Sequence, residues 1–226
     1  PKYYDLIMDE IIDVKSDGSL KLNMNYFAYT YDRVMTNDKF AELFGIEPRK
    51  EDSKIEQIHY DIGASAQLVL EETLLKMSNY VYKKTKEKNL CLGGGVALNG
   101  VANYRILKEG PFENIFIPPS PGDGGSAIGC AQYAYFSHLK NTRSVEQNSS
   151  LRIKNSVYLG PQYTNEEIET FLKENNIPFK KLENSHLLKE TVSLISNEKV
   201  VGWYQGRMEW GPRALGNRSI LADPRN

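Results

Sequence analysis

The chain has 226 residues and 40% hydrophobic content, enough for one full core or for a domain and part of another. A formal net charge of −1 supplies no bulk field toward nucleic acid or an anionic membrane. No apolar run approaches the roughly 20 residues of a membrane span, and Pro1-Lys2-Tyr3-Tyr4-Asp5 lacks the basic start and apolar stretch of a signal peptide. The expectation is a cytoplasmic protein with no nucleic-acid or membrane partner. Cys91 and Cys130 each lie in apolar surroundings and read as buried, reduced thiols. A start without Met and an abrupt end at Asp223-Pro224-Arg225-Asn226 read as those of a segment of a longer protein.

In chain order, residues 5–28 alternate apolar and polar around the turn signal Ser16-Asp17-Gly18-Ser19. This predicts a β-hairpin, with a helix as the alternative over 6–14. Residues 40–44 predict a short helix closed by Gly45. A long amphipathic helix follows over 55–85, with Ile58, Ile62, Ala66, Val69, Leu70, Thr73, Leu74, Met77, Tyr80 and Val81 at helical spacing. Leu90-Cys91-Leu92 predicts a short buried strand, 96–107 a helix stopped by Gly110-Pro111, and Asn114-Ile115-Phe116-Ile117 a second strand. After the stiff loop Pro118-Pro119-Ser120-Pro121-Gly122, a helix is expected over 123–139. This alternation favours parallel pairing in an α/β domain. Residues 140–155 read as a polar linker, with a domain boundary near 150. The pattern then restarts: strand Val157-Tyr158-Leu159, helix 164–175, strand Phe179-Lys180-Lys181-Leu182, helix 185–197 and strand Val200-Val201-Gly202-Trp203-Tyr204.

Two glycine-rich loops carry the first chemical signal. Gly93-Gly94-Gly95-Val96-Ala97-Leu98-Asn99-Gly100 sits between a strand and a helix, and Gly122-Asp123-Gly124-Gly125-Ser126-Ala127-Ile128-Gly129 repeats that arrangement. Glycine permits close backbone approach to a phosphate, and a first helical turn supplies N–H donors. Each loop alone is equally a tight strand-to-helix turn; two on one sheet edge favour a phosphate site. Asn99 is expected on the first turn of its helix, able to donate to a phosphate or to accept from a sugar hydroxyl. Asp123 is either a helix cap or a ligand for a divalent metal beside a phosphate. Neither loop is followed by a Walker-type lysine, and the spacing fails the dinucleotide fingerprint.

The second signal is Gly206-Arg207-Met208-Glu209-Trp210-Gly211-Pro212-Arg213-Ala214-Leu215-Gly216-Asn217-Arg218-Ser219. Arginine holds phosphates and carboxylates bidentately, and glycine lets a backbone fold around them. A small-anion site is one reading. A solvated basic loop with Glu209 paired to one arginine, or a stacking surface for nucleic acid, are the others.

Together with Ile220-Leu221-Ala222-Asp223-Pro224-Arg225, these motifs resemble those of the O-carbamoyltransferases, a family that includes nodulation-factor and antibiotic-tailoring enzymes. The resemblance implies an α/β fold: the second lobe of an actin-like ATPase (ribonuclease H-like) domain over 1–145, then part of a YrdC-like domain over 151–226. It implies ATP and carbamoyl phosphate as substrates, a carbamoyl-adenylate, and transfer to a hydroxyl of a sugar-like or natural-product acceptor. It assigns Gly93, Gly94, Gly95, Asn99 and Gly124 to the nucleotide, Asp123 to a divalent metal (Fe2+, with Mg2+ as the alternative), and Arg207, Arg213 and Arg218 to catalytic binding of carbamoyl phosphate or the adenylate phosphate. A homodimer is compatible with it. The family's metal site uses paired histidines on a helix. Here His59, His138 and His186 are scattered and read as structural or surface residues, with a place near the site as the alternative for His59. The segment alone is therefore expected to be inactive. An actin-fold sugar kinase is a rival that explains the glycine loops but not the arginines, and a non-catalytic nucleotide-binding relative is another.

Overall fold

The computed structural model describes residues 1–142 and 157–225. It holds two compact units: Pro1–Leu92 with Val96–Phe116, and Gly93–Gly95 with Ile117–Asn226. The expected boundary near 150, and residues 143–155 of the expected linker, lie outside the described residues.

In the first unit, α1 (Tyr4–Leu6) runs into a π-helical turn, Ile7–Ile11. The backbone becomes extended at Ile12, and β1 (Ile12–Val14) pairs antiparallel with β2 (Leu20–Leu22), Asp13 facing Lys21. The hairpin therefore forms over its inner residues only, and residues 6–11 take the helical alternative. Adjacent apolar pairs explain this. A helix turns Ile7, Met8 and Ile11 toward one side, whereas a strand sends neighbours to opposite faces. Ile7 and Ile11 are buried with Phe44 and Val69 in the core cluster, and Met8 and Ile12 pack against it.

Helix α2 (Asp38–Phe44) ends at Gly45, left-handed at φ 66°, as its sequence predicts. Helix α3 (Gln57–Thr85) also forms as expected. Its buried residues are Ser65, Val69, Thr73 and Ser78, while Ala66, Tyr80 and Val81 are exposed, against expectation. The polar members are tolerated because their hydroxyls donate to carbonyls one turn back, Ser65 to Asp61 at 2.6 Å and Thr73 to Val69 at 2.7 Å. After β3 (Asn89–Cys91), α4 (Gly100–Glu109) packs on α3 and buries Ala102 and Ile106. Strand β4 (Asn114–Phe116) pairs parallel with β3, as the alternation predicts. The strands are not buried, however. No further strand joins this pair among the described residues, so the face bearing Cys91 and Phe116 stays open. Cys91 and Cys130 are both exposed, which corrects the expectation of buried thiols.

The second unit begins its regular structure with a 3-10 turn, Asp123–Gly125, then α5 (Ser126–Gln132) and a π-helical continuation, Tyr133–His138. Helix α6 (Asn165–Glu174) opens on a reciprocal cap: Thr164 Oγ1 accepts the Glu167 N–H, and the Glu167 carboxylate accepts the Thr164 N–H at 2.7 Å. Helix α7 (Asn184–Ser196) leads to β5 (Val201–Tyr204), which pairs antiparallel with β6 (Arg218–Leu221). Two expected strands are absent. Phe179-Lys180-Lys181-Leu182 has no ladder partner. Val157-Tyr158-Leu159 spends its backbone irregularly: Val157 accepts from Trp210 N–H, while Gly160 donates to Met208 and Met208 to Pro161. The pairing at residues 218–221 is an element the sequence reading lacked. Among the described residues, no helix is long and apolar enough to cross a membrane.

Candidate functional site

The first glycine loop follows β3. A Cβ added at Gly93, Gly94 or Gly95 would meet nothing within 4 Å, so this backbone is open to an incoming group. Gly94 has φ 101°, a conformation that strains other residues. The loop does not run straight into its helix. A 3-10 turn, Gly95–Leu98, intervenes, and Asn99 is the N-cap of α4 rather than part of its first turn. Its Oδ1 accepts the Ala102 N–H at 3.0 Å, satisfying one of the free donors at a helix start. Its amide is also paired with Gln67 on α3: Asn99 Nδ2 donates to Gln67 Oε1 at 2.8 Å, and Gln67 Nε2 donates back at 3.2 Å. Gln67 in turn donates to Glu71, which pairs with Arg105 at 3.1 Å. Gln67 is invisible to motif reading because it lies 32 residues from its partner.

The second loop lies beside the first. Gly94 donates its N–H to the Pro121 carbonyl at 2.7 Å, and a Cβ on Gly122 would sit 3.8 Å from Gly95 Cα. The turn is sharp around the buried Ser120. A Cβ at Gly125 would lie 2.0 Å from the Ser120 carbonyl oxygen, and one at Gly124 would lie 3.1 Å from Ser120 Oγ. Glycine at 125 is thus a steric necessity of the turn, independent of any ligand. Asp123 is exposed, and its carboxylate caps neither the 3-10 turn nor α5. Of its two sequence readings, the helix cap is not realised.

The arginine loop, residues 206–219, reaches the same segment. Gly211, at φ 116°, brings its backbone so close that a Cβ would lie 2.3 Å from the Pro119 carbonyl oxygen. All three motifs therefore meet on residues 119–121, a convergence absent from any single motif. The rigid Pro-Pro-Ser-Pro run was the available signal.

Glu209 organises this loop. Its residue is 2% exposed, and its Oε1 accepts the N–H groups of Leu215 and Asn217, both at 2.7 Å. Oε2 is buried with no hydrogen bond, 3.6 Å from Arg218 Nε. Burial is the largest single influence on this carboxyl and pushes it up. The backbone donors of Asn217, Glu209 itself, Leu215 and Arg218 outweigh burial, so the group is held below its ordinary value. The sequence offered a hint: Glu209 is the one acid among three arginines.

The arginines differ. Arg218 Nη2 donates to the Gly211 carbonyl and, at 3.4 Å, to that of Arg213. Arg207 donates to Gly160 O at 2.9 Å. Arg213 is exposed, and its guanidinium has no partner among the described residues. Two of the expected anion-binding arginines thus brace backbone, and one stays free. Of the solvated-loop reading, the pairing of Glu209 with one arginine, Arg218, is present, but the acid is buried and its hydrogen bonds go to the backbone of the turn.

Among the described residues, no group of three or more His, Cys, Asp or Glu side chains is placed to hold a metal. His59 Nδ1 accepts the Glu56 N–H at 2.9 Å, making it part of the N-terminal cap of α3, in keeping with a structural role.

One loop of open glycine backbone, two loops packed against residues 119–121 and an exposed Arg213 guanidinium thus lie together. Comparison with known proteins gives the chain a family. Residues 1–132 match the carbamoyltransferase N-terminus and residues 192–226 the carbamoyltransferase C-terminus. The chain belongs to the carbamoyltransferase family. It is 48% identical over its full length to an uncharacterized protein of Synechocystis sp., covering 37% of that protein. It is 35% identical to nodulation protein NolO of Bradyrhizobium diazoefficiens over 82% of this chain and 33% of NolO. Nodulation protein NolNO of Sinorhizobium fredii is also 35% identical, over 81% of this chain and 26% of NolNO. The chain thus spans about a quarter to just over a third of the length of these relatives.

Proposed function

We propose that this chain forms part of an ATP-dependent O-carbamoyltransferase, which uses carbamoyl phosphate to carbamoylate a hydroxyl of a sugar-like or natural-product acceptor. The observation that carries this reading is the meeting of both glycine loops and the arginine loop on residues 119–121, with Arg213 left unpaired. On this reading, residues 1–145 are the second lobe of an actin-like ATPase domain and 151–226 the start of a YrdC-like domain.

The chemistry asks for anion neutralisation. Carbamoyl phosphate first loses its phosphoryl group to water as inorganic phosphate, and the carbamate oxygen attacks the α-phosphorus of ATP, expelling pyrophosphate and giving the carbamoyl-adenylate. The acceptor oxygen then bonds to the carbamoyl carbon as its bond to the adenylate phosphate oxygen breaks; AMP leaves with the bonding electron pair, and the hydroxyl gives up its proton. A guanidinium at the departing phosphate lowers the cost of that charge. Arg213 has the free donors for this role. Arg207 and Arg218 contribute positive charge while holding the loop. Gly93–Gly95 offers unobstructed backbone to the nucleotide phosphates, and Gly94 alone of the three has its N–H tied back, to Pro121. Asp123 offers one free carboxylate, but the described residues do not make up a metal site.

The test is product analysis with the full-length protein. Acceptor-dependent release of AMP and pyrophosphate in the presence of carbamoyl phosphate is the expected result. Formation of ADP and a phosphorylated sugar would replace this reading with a kinase.

A further inference from the structure

Residues 211–216 form a turn hinged at both ends by glycines in left-handed conformations, Gly211 at φ 116° and Gly216 at φ 110°. Such a Gly-Pro-Arg-Ala-Leu-Gly segment has no ladder or helix of its own to fix it. Its order comes from two cross-braces. Glu209 Oε1 gathers Leu215 N and Asn217 N from the far limb of the turn. Arg218 reaches back to the Gly211 and Arg213 carbonyls on the near limb, with its Nε facing Glu209 Oε2. Further bonds close the base: Asn217 Nδ2 donates to Arg207 O at 2.7 Å, and Gln205 Nε2 to Gly216 O at 3.0 Å. Arg213, at the tip, receives no side-chain support.

We infer that Glu209 is the positioning residue for Arg213: its buried carboxylate, with Arg218, fixes the 211–216 turn so that the Arg213 guanidinium is presented, unpaired, to an anionic phosphate group. The physical argument is one of competition and cost. Glu209 is placed among arginines, yet its best donors are backbone N–H groups. A buried carboxylate aimed at the protein's own turn occupies the charge of Arg218 and leaves that of Arg213 available. An exposed glutamate here would be free to pair with Arg213 and cancel the charge the site offers. Identifying the anion as carbamoyl phosphate rests on the proposed function; the positioning itself does not.

The test combines a structural and a binding measurement on the full-length protein. Hydrogen exchange at Leu215 and Asn217 is expected to speed up in Glu209→Ala by roughly tenfold or more, as two backbone donors lose their acceptor. Carbamoyl phosphate binding is expected to weaken about tenfold in Arg213→Ala. It should weaken to a similar extent in Glu209→Ala, and the double variant should be no weaker than Arg213→Ala alone. Glu209→Gln keeps a carbonyl acceptor but loses the charge, so it should fall between wild type and Glu209→Ala; it carries the test if the alanine variant does not fold. Unchanged exchange in both Glu209 variants overturns the inference. Fully multiplicative losses in the double variant also overturn it, because independent contributions mean that Glu209 does not act through Arg213. Failure of the wild-type protein to bind carbamoyl phosphate overturns the proposed function, and the exchange result still decides whether Glu209 fixes the turn.

Discussion

The first glycine loop and the arginine loop use the same residue for opposite ends. At Gly93, Gly94 and Gly95 the missing side chains leave open space, and nothing in the described structure fills it. At Gly211 the missing side chain is already used, because the Pro119 carbonyl lies where a Cβ would be. One loop is open because it is bare. The other is rigid because its backbone is packed, hinged and tied to a buried carboxylate. The lesson is that a glycine-rich motif does not by itself identify a ligand contact. The space around each position separates the glycines a fold needs from those a ligand can use.

Substitutions break or sharpen this contrast. The largest effect is expected from Gly211→Ala, which adds a clash with backbone to an unfavourable φ. A loss of about 3 kcal/mol in the local unfolding of the second unit is expected, read by urea denaturation through Trp203 and Trp210 fluorescence. A change within experimental error would mean that the packed contact with Pro119 does not hold in solution. Asn99→Ala should cost about 1–2 kcal/mol by removing the α4 cap and releasing Gln67. Circular dichroism during thermal unfolding measures it, and Gln67→Ala should show part of the same loss.

Acid gives a third, graded effect. The Glu209 carboxyl is held below its ordinary value of 4.5, so its charged form stabilises the loop. That contribution is complete above pH 4.5 and disappears as the pH falls toward the lowered value. Amide chemical shifts of Leu215 and Asn217 should follow this transition, and Glu209→Gln should abolish it. The smallest stability effect is expected at Gly93→Ala, within about 0.5 kcal/mol, since a Cβ there meets nothing. Its ATP affinity should nevertheless fall, by calorimetry, if the open backbone receives phosphate. Unaltered affinity would remove Gly93 from the site.

Local signals made much of the fold legible. Gly45 stops α2, the period of residues 57–85 gives α3, and Thr164 with Glu167 caps α6. These features depend on residues within a turn or two of each other. The errors arose where distant partners decide. Phe179 to Leu182 alternates like a strand but finds no ladder, and residues 218–221 look irregular until β5 pairs with them. The thiols of Cys91 and Cys130 sit in apolar sequence, yet burial depends on what packs over them.

The candidate site divides along the same line. Sequence alone determined its ingredients: two glycine loops after strands, a lone acid among arginines, and the family resemblance they carry. Their spacing is covalent and needs no tertiary structure to be seen. Only the tertiary structure decided that the three loops meet on residues 119–121, that Asn99 is engaged by Gln67, and that Glu209 and Arg218 brace the turn while Arg213 stays free. Hydrogen bonds and steric contacts act over a few ångströms, so which donors are spent and which remain available depends on neighbours far away in the chain.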